Sequence, residues 1–295
     1  MTIVGLLVNT TKPAALEAAR VVAARLASLG IPALALDSVA AELYQAGCRT
    51  VPDGEHLARE SDFVLVFGGD GTFLSAARLI APFDTPLLGV HLGHFGFLTE
   101  VAPENLLSSL EQVLAGEGRV EVRSMLEGTV YRNGASDPAE CESLVGMNDV
   151  VIASGAVRMV HVRTTIGGAD VATYAADGVI VASPTGSTGY SLSAGGPLVH
   201  PTAPVFVVTP ICPHTLNARA LIVPDTETVE LSIEANRPDT SGVVSVDGQI
   251  ELPLAAGDRV VVRRAPHSVR LLRLGGPTFY QKIRDRWRYG ERSAP

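Results

Sequence analysis

Apolar positions in the first third of the chain alternate between short continuous runs and longer stretches with helical spacing. Thr2 to Val8 is a short run of strand type, and Pro13 to Leu29 carries apolar residues at helical spacing, closed by Gly30. Ile31 to Leu36, Asp62 to Phe67 and Pro86 to Val90 repeat the strand signal, while Thr72 to Ile80 and Pro103 to Ala115 fit helices. Strands alternating with helices predict an α/β domain on a doubly wound parallel sheet, in which ligands collect where loops leave the C-terminal strand ends. Around Glu117 to Val120 the pattern changes. From there to about Leu274, short β-branched runs are separated by turn signals such as Gly167-Gly168 and Ala256-Gly257-Asp258, which predicts an all-β sandwich of two antiparallel sheets. Asp247-Gly248 is a hairpin turn by its dipeptide. Pro277 to Tyr289 returns to helical spacing, with Phe279, Ile283 and Trp287 four apart, and is expected to pack back on the first domain. Its Lys282, Arg284, Arg286 and Arg288 are expected on a solvated face. The expected division is thus 1–118 plus 275–295 as the α/β domain and 119–274 as the all-β domain.

At 295 residues with 46% hydrophobic and 18% charged residues, the chain has the composition of a globular protein with two cores. A net charge of −8 gives no bulk attraction for nucleic acid or an anionic membrane. The N-terminus lacks a basic leader, and no apolar run approaches the ~18 residues of a membrane span. Cys48, Cys141 and Cys212 are odd in number and in no CxxC spacing, which suits a reducing cytoplasm rather than a disulfide framework or zinc site. Two lysines, Lys12 and Lys282, stand against twenty-one arginines, and neither lies in a Gly-rich motif. A P-loop is therefore absent.

Three segments carry candidate chemistry. The apolar run Gly178 to Ala182 feeds directly into Pro184-Thr185-Gly186-Ser187-Thr188-Gly189-Tyr190, where bare backbone N–H groups, three hydroxyls and a phenol suit phosphate and sugar oxygens. A Gly/Ser-rich strand connection has the same composition. Gly68-Gly69-Asp70-Gly71-Thr72 follows a buried strand and opens a helix, so it either offers an anion site with one carboxylate beside it, or is a turn in which Asp70 caps a helix begun by Thr72. Asn148-Asp149 precedes the strand VVIAS, where an amide and a carboxylate can hold a ribose diol and a base edge, or simply make a turn. His91 and His94, three apart in a Gly-rich turn with no third ligand, read as loop packing.

In combination these segments resemble the NAD kinase family, also called ATP-NAD or polyphosphate/ATP-NAD kinases. The resemblance runs from GGDG through Gly93 to Leu98, the Asn148-Asp149 pair, Asp177 with the long Thr185 to Pro197 motif, Pro213 to Leu216 with Arg219, and Asp247 to Gln249. It implies an N-terminal α/β domain, a C-terminal β-sandwich, and transfer of the terminal phosphoryl group of ATP to the 2′-hydroxyl of the adenosine ribose of NAD. Carried over residue by residue, it implies Asp70 as general base with Gly71 beside it, and Gly68, Gly69, Gly71 and Thr72 as the phosphate-donor loop. It implies Asn148 and Asp149 on the adenosine half, and Asp177, Thr185, Gly186, Ser187, Thr188, Gly189, Tyr190 and Gln249 around the rest of NAD. It also implies Mg²⁺ or another divalent metal, with no protein ligand assigned, and a homodimer or homotetramer in which a neighbour completes the NAD site. The sequence departs from the family at Asp149, where Glu is commoner, and at Gly189, where Ala is usual. Ala175 stands where a charged residue accompanies strict ATP use, which leans towards polyphosphate as a further donor. The rival readings are a diacylglycerol-type lipid kinase, which shares GGDGT, and a dinucleotide-binding regulator without catalysis.

Overall fold

The computed structural model describes residues 2–43, 46–92, 96–133, 141–155, 159–234 and 241–287. Two compact units emerge, 1–122 with 269–295, and 123–268. The first opens with β1 (Val4–Val8), α1 (Pro13–Ser28), β2 (Ala33–Leu36), α2 (Ala40–Leu43), β3 (Arg49–Val51) and α3 (Gly54–Glu60). It continues through β4 (Phe63–Gly68), α4 (Asp70–Ile80), β5 (Leu87–His91) and α5 (Leu106–Leu114). Strand order is β3-β2-β1-β4-β5, all parallel. The chain therefore winds outward to one side from β1 and to the other from β4. The reversal between those two strands is the switch point at which doubly wound sheets open a crevice at their C-terminal edge. β4 reads as an unbroken apolar run because both of its faces are covered, and all six of its residues are buried. Phe63, Leu65 and Phe67 join Val4, Leu6 and the buried stripe Ala15, Ala19, Val22 and Leu26 of α1 in one core.

The second unit contains, in chain order, β6 (Arg119–Tyr131), β7 (Glu142–Gly146), β8 (Asp149–Ser154), β9 (Val160–Ile166), β10 (Ala169–Ala176), β11 (Gly178–Ala182), α6 (Tyr190–Ser193) and β12 (Val205–Ile211). Then come β13 (Leu221–Pro224), β14 (Val229–Ile233), β15 (Ser241–Val246), β16 (Ile250–Ala255) and β17 (Arg259–Arg273), the last strand ending in the first unit beside β5 at Leu271↔Leu87. A six-stranded sheet runs β13-β12-β11-β8-β15-β16. A second sheet carries β10-β9-β14-β17, with β6 on β17 and β7 on β6. Side chains of both sheets interdigitate in one core, where Val150 and Ile152 of β8 meet Val162 of β9 and Leu231 of β14. The intervening Val151 points to the other face, with Ile180 and Val207, as period-two alternation requires. At the hairpin between β15 and β16, Asp247 (φ 54) and Gly248 (φ 64) are both left-handed, the backbone of a two-residue primed turn.

The final helix α7 (Phe279–Trp287) belongs to the first unit. One of its cations departs from expectation. Lys282 is buried, and its Nζ donates to the carbonyls of Phe97 and Thr99, each at 3.2 Å. The Arg286 guanidinium lies 5.3 Å from the centre of the Phe97 ring. Arg284, paired with Asp285, and Arg286 are both exposed as expected, and Arg288 lies outside the described residues. Lys282 alone turns inward, where the segment after β5 presents it with two backbone carbonyls.

Candidate active site

In the first unit, α4 begins at Asp70, not Thr72, and its N-cap is Gly69, with no side-chain cap. The carboxylate of Asp70 instead reaches across to the segment after β5. It accepts from the N–H of Phe97 (3.1 Å) and of Leu98 (3.4 Å). Gly96 lies so close to this carboxylate that a β-carbon there would overlap it, so only glycine fits. The segment is fixed from behind. Lys282 holds the carbonyls of Phe97 and Thr99, and Arg273 donates to Glu100 (2.9 Å) and to Glu121 (3.1 Å). Glu100 in turn accepts from the N–H of Leu274 and Gly276, both at 3.2 Å. Asp70 thus sits at the first turn of a helix, at the C-terminal edge of the parallel sheet, on a braced loop. Of its two sequence readings, the capping one is set aside. The loop-packing reading of His91 and His94 cannot be followed, since His94 lies outside the described residues.

In the second unit three segments meet at one end of the central strands β11, β8 and β15. Ala182 pairs with Asp149, and Val150 with Val246, so the chain before β8, after β11 and after β15 emerges together. Ser183 donates its N–H to the Asn148 carbonyl (2.8 Å) and its hydroxyl to the Met147 carbonyl (2.6 Å). Its Oγ also accepts from the N–H of Gly186 (3.1 Å), and a β-carbon on Gly186 would run into the Asn148 carbonyl. The Asp247 carboxylate takes three backbone donors: Met147 N–H (3.0 Å), Asn148 N–H (2.7 Å) and Asp149 N–H (3.2 Å). These bonds leave the Asn148 carboxamide with no hydrogen-bond partner among the described residues, with its Nδ2 near Gly189.

The hydroxyls of the loop divide. Ser187 is fully buried, donates to the carbonyls of Pro184 and Val199 and accepts from the Val199 N–H, so it shapes the loop from within. Thr185 is also buried and accepts from Arg123 (3.2 Å), a buried arginine with no local sequence signal. Thr188 caps back on the Thr185 carbonyl, and Tyr190 is exposed. Gln249 is exposed on the hairpin that follows Asp247, at the same end of the sheet. Asp177 is not there. It precedes β11, at the other end of a strand about 17 Å long, beside Ala175, whose carbonyl accepts from His214 N–H (2.8 Å).

Asp149 is 5% exposed, and burial, with Asp247 nearby, pushes its carboxyl up to about 7. The folded protein therefore holds this proton more tightly than the unfolded chain does. The resulting stability is complete below the unfolded value of about 4 and is lost as pH rises towards about 7. Asp149→Asn is expected to flatten the fall in unfolding free energy over that window, by up to about 1.4 kcal/mol per pH unit. Urea titrations of both proteins at several pH values read it, and parallel slopes would contradict it.

A parallel α/β unit with a Gly-Asp loop at its crevice, and a β-sandwich with a hydroxyl-rich loop, define a two-unit nucleotide-binding protein. Residues 4–118 match the model of the ATP-NAD kinase N-terminal domain, and residues 147–274 that of the ATP-NAD kinase C-terminal domain. The NAD kinase of Heliobacterium modesticaldum is 43% identical over 292 residues, covering 98% of this chain and all of that protein. The NAD kinase of Moorella thermoacetica is 43% identical over 290 residues, covering 97% of this chain and 89% of its own. Among solved structures, yeast NADH kinase complexed with NADH superposes with a TM-score of 0.92 at 23% identity, over 100% of this chain and 89% of that one. An NAD kinase from Archaeoglobus fulgidus in complex with ATP gives 0.70 at 23% identity, over 93% and 94%. The chain belongs to the NAD kinase family. The lipid-kinase reading, which rested on GGDGT alone, falls away.

Proposed function

We infer that this protein transfers the γ-phosphoryl group of ATP to the 2′-hydroxyl of the adenosine ribose of NAD, giving NADP and ADP. The observation that carries the reading is 43% identity to an NAD kinase over nearly the full length, together with intact Asp70 and Asn148-Asp149 segments. A bond forms between the ribose 2′-oxygen and the γ-phosphorus, and the bond to the bridging oxygen breaks, leaving its electron pair on ADP. The proton of the hydroxyl goes to Asp70, the general base. Asp70 suits that task because its helix-N-terminal position and two backbone donors fix the carboxylate without neutralising it by a cation. Asn148 offers an unengaged amide to the adenosine half, beside Asp149. The partly exposed edge of Thr188 to Tyr190, with Gln249, borders the rest of the dinucleotide.

Mg²⁺ enters on the donor phosphates as part of the substrate. Among the described residues no three His, Cys, Asp or Glu side chains are gathered as a metal cage, while Mg²⁺ is commonly held by phosphates, water and one or two carboxylates. When bound it supplies neutralisation of the charge on the transferring group. Asp70 is the carboxylate available to such a complex in the donor loop.

The assembly is a homodimer or homotetramer. Asp177 and Ala175 stand at the far end of β11 from the Thr185 to Tyr190 loop, so these two groups serve one NAD more simply from two copies of the chain. Leu216, 94% exposed, and Ile222, 55% exposed, lie in the segments after β12 that face solvent in one copy. With Ala175 in place of a charged side chain, polyphosphate is accepted beside ATP. No helix among the described residues is long and apolar enough to cross a membrane, and three cysteines outside any disulfide suit the cytoplasm.

The test is NADP formation from NAD and Mg²⁺ with ATP or polyphosphate in parallel, read by an NADP-specific dehydrogenase. Product with ATP is expected, with a smaller yield from polyphosphate. NAD binding without product from either donor would favour the regulator reading.

A further inference from the structure

The donor phosphates are polyanionic and need neutralisation, yet the Gly68 to Thr72 loop contains no cation of its own. The structure brings one to it from another part of the sequence. β1 and β4 are adjacent parallel strands, with Val8 opposite Phe67, so the turn after β1 lies beside the Gly loop at the switch point of the sheet. That turn is clamped in place. Asn9 N–H donates to the Phe67 carbonyl (3.1 Å), and Asn9 Nδ2 donates to Thr72 Oγ1 (2.9 Å). Asn9 Oδ1 accepts from both the N–H (3.0 Å) and the hydroxyl (2.7 Å) of Thr11, and Lys12 N–H closes on the Asn9 carbonyl (3.2 Å).

Lys12 then projects towards the loop. Its Nζ stands 3.6 Å from the point where a β-carbon on Gly69 would be, and nothing else borders that side of Gly69. Lys12 is also the N-cap residue of α1, with no capping hydrogen bond and no acidic residue in the first turn. A cation there is electrostatically unfavourable, since the positive ends of two helices, α1 and α4, point the same way. Capping chemistry would select Ser, Thr, Asp or Asn. Among the described residues the Lys12 ammonium has no hydrogen-bond or ion-pair partner that would offset this cost. The chain otherwise uses arginine almost throughout, twenty-one against two, and its other lysine is buried on backbone carbonyls. At Lys12 a compact ammonium on a flexible stem suits a phosphoryl group that moves between donor and acceptor.

We propose that Lys12 binds the terminal phosphates of the nucleoside triphosphate donor over Gly69, supplying from the β1–α1 turn the cation that a P-loop would carry within its own loop. The proposal rests on ATP being the donor, as inferred above. Lys12 moves no proton; it neutralises charge on the group passing from ADP to the ribose oxygen.

Titration of ATP into Lys12→Ala, Lys12→Met and Lys12→Arg, followed calorimetrically without NAD, tests it. Alanine and methionine are expected to weaken ATP binding by about tenfold or more, with arginine recovering most of the loss. NAD affinity and thermal stability are expected to be unchanged, because the side chain is exposed. ATP affinity within about twofold of wild type in the alanine variant, or an equal loss of NAD affinity, would overturn the assignment. Failure of the wild type to make NADP would sink the functional reading alone, since the ATP titration does not depend on turnover.

Discussion

Asp70→Asn is expected to lower turnover by about 10²- to 10⁴-fold, the usual worth of a positioned general base, while NAD binds nearly as well as to the wild type. The amide keeps the shape of the carboxylate and one acceptor oxygen for the Phe97 or Leu98 N–H. Its NH₂ must face the other donor, so a stability loss of about 1 kcal/mol accompanies the change. Asp70→Ala is the less informative variant, because it orphans both N–H groups and loosens the 96–100 segment as well as removing the base. Steady-state kinetics on NAD and ATP, with NAD affinity measured separately, decide the matter. Turnover within a few-fold of wild type would remove Asp70 as the base. A matched loss of NAD affinity would make it a binding group instead.

The second large effect is expected at a residue far from the transferred phosphate. Asp247→Ala withdraws the acceptor for three backbone N–H groups, at Met147, Asn148 and Asp149, of which the first and last belong to buried residues. It also leaves alanine at φ 54, a region costing roughly 1 to 2 kcal/mol for a residue with a β-carbon and no local hydrogen bond. Together these predict destabilisation of about 3 to 5 kcal/mol and loss of NAD binding, because Asn148 is no longer held out of its own turn. Asp247→Asn tolerates the left-handed backbone and keeps one acceptor, so a milder loss is expected. Removing the charge also relieves Asp149 and lowers its carboxyl from about 7. Urea unfolding together with NAD titration reads both parts. Unfolding free energy and NAD affinity like those of the wild type in the alanine variant would show that the 147–149 turn holds its shape without Asp247.

These two aspartates also mark where sequence pattern carries information and where it stops. The Asp62 to Phe67 run gives β4, because a strand covered on both faces must be apolar throughout, and the Gly-rich segment after it marks the loop. The direction of the Asp70 side chain is another matter, being fixed by Gly96 and by two N–H groups 27 and 28 positions away. Asp247-Gly248 is legible as a hairpin from two residues alone. Its role in holding Asn148 depends on β15 lying next to β8, a pairing that no local window contains. For the same reason Arg123, 62 positions from Thr185, carries no mark of its contact. Lys282 misleads in the opposite sense: its neighbours Arg284 and Arg286 make a polar helix face, and only the carbonyls of Phe97 and Thr99 turn it inward.

Between β2 and β4 the sequence pattern is silent. The elements β3 and α3 are short, three and seven residues, and too brief for a period to show. The legible sign there is Pro52-Asp53-Gly54, in which Asp53 accepts from His56 N–H (2.9 Å) as the N-cap of α3. The long Thr185 to Tyr190 motif is read correctly as a polar loop delivered by a buried strand. Composition does not tell that Ser187 faces inward and Tyr190 outward, nor that Asp177 leaves β11 at the opposite end.

The first measurement to make is the position of the phosphate on the product. NAD is incubated with ATP and Mg²⁺, and the product is examined by phosphorus NMR and by its ability to serve an NADP-dependent dehydrogenase. Phosphate on the 2′-oxygen of the adenosine ribose, formed by the wild type and nearly abolished in Asp70→Asn, is the predicted result. Phosphate on another hydroxyl, or release of ADP with no phosphorylated dinucleotide, would contradict it.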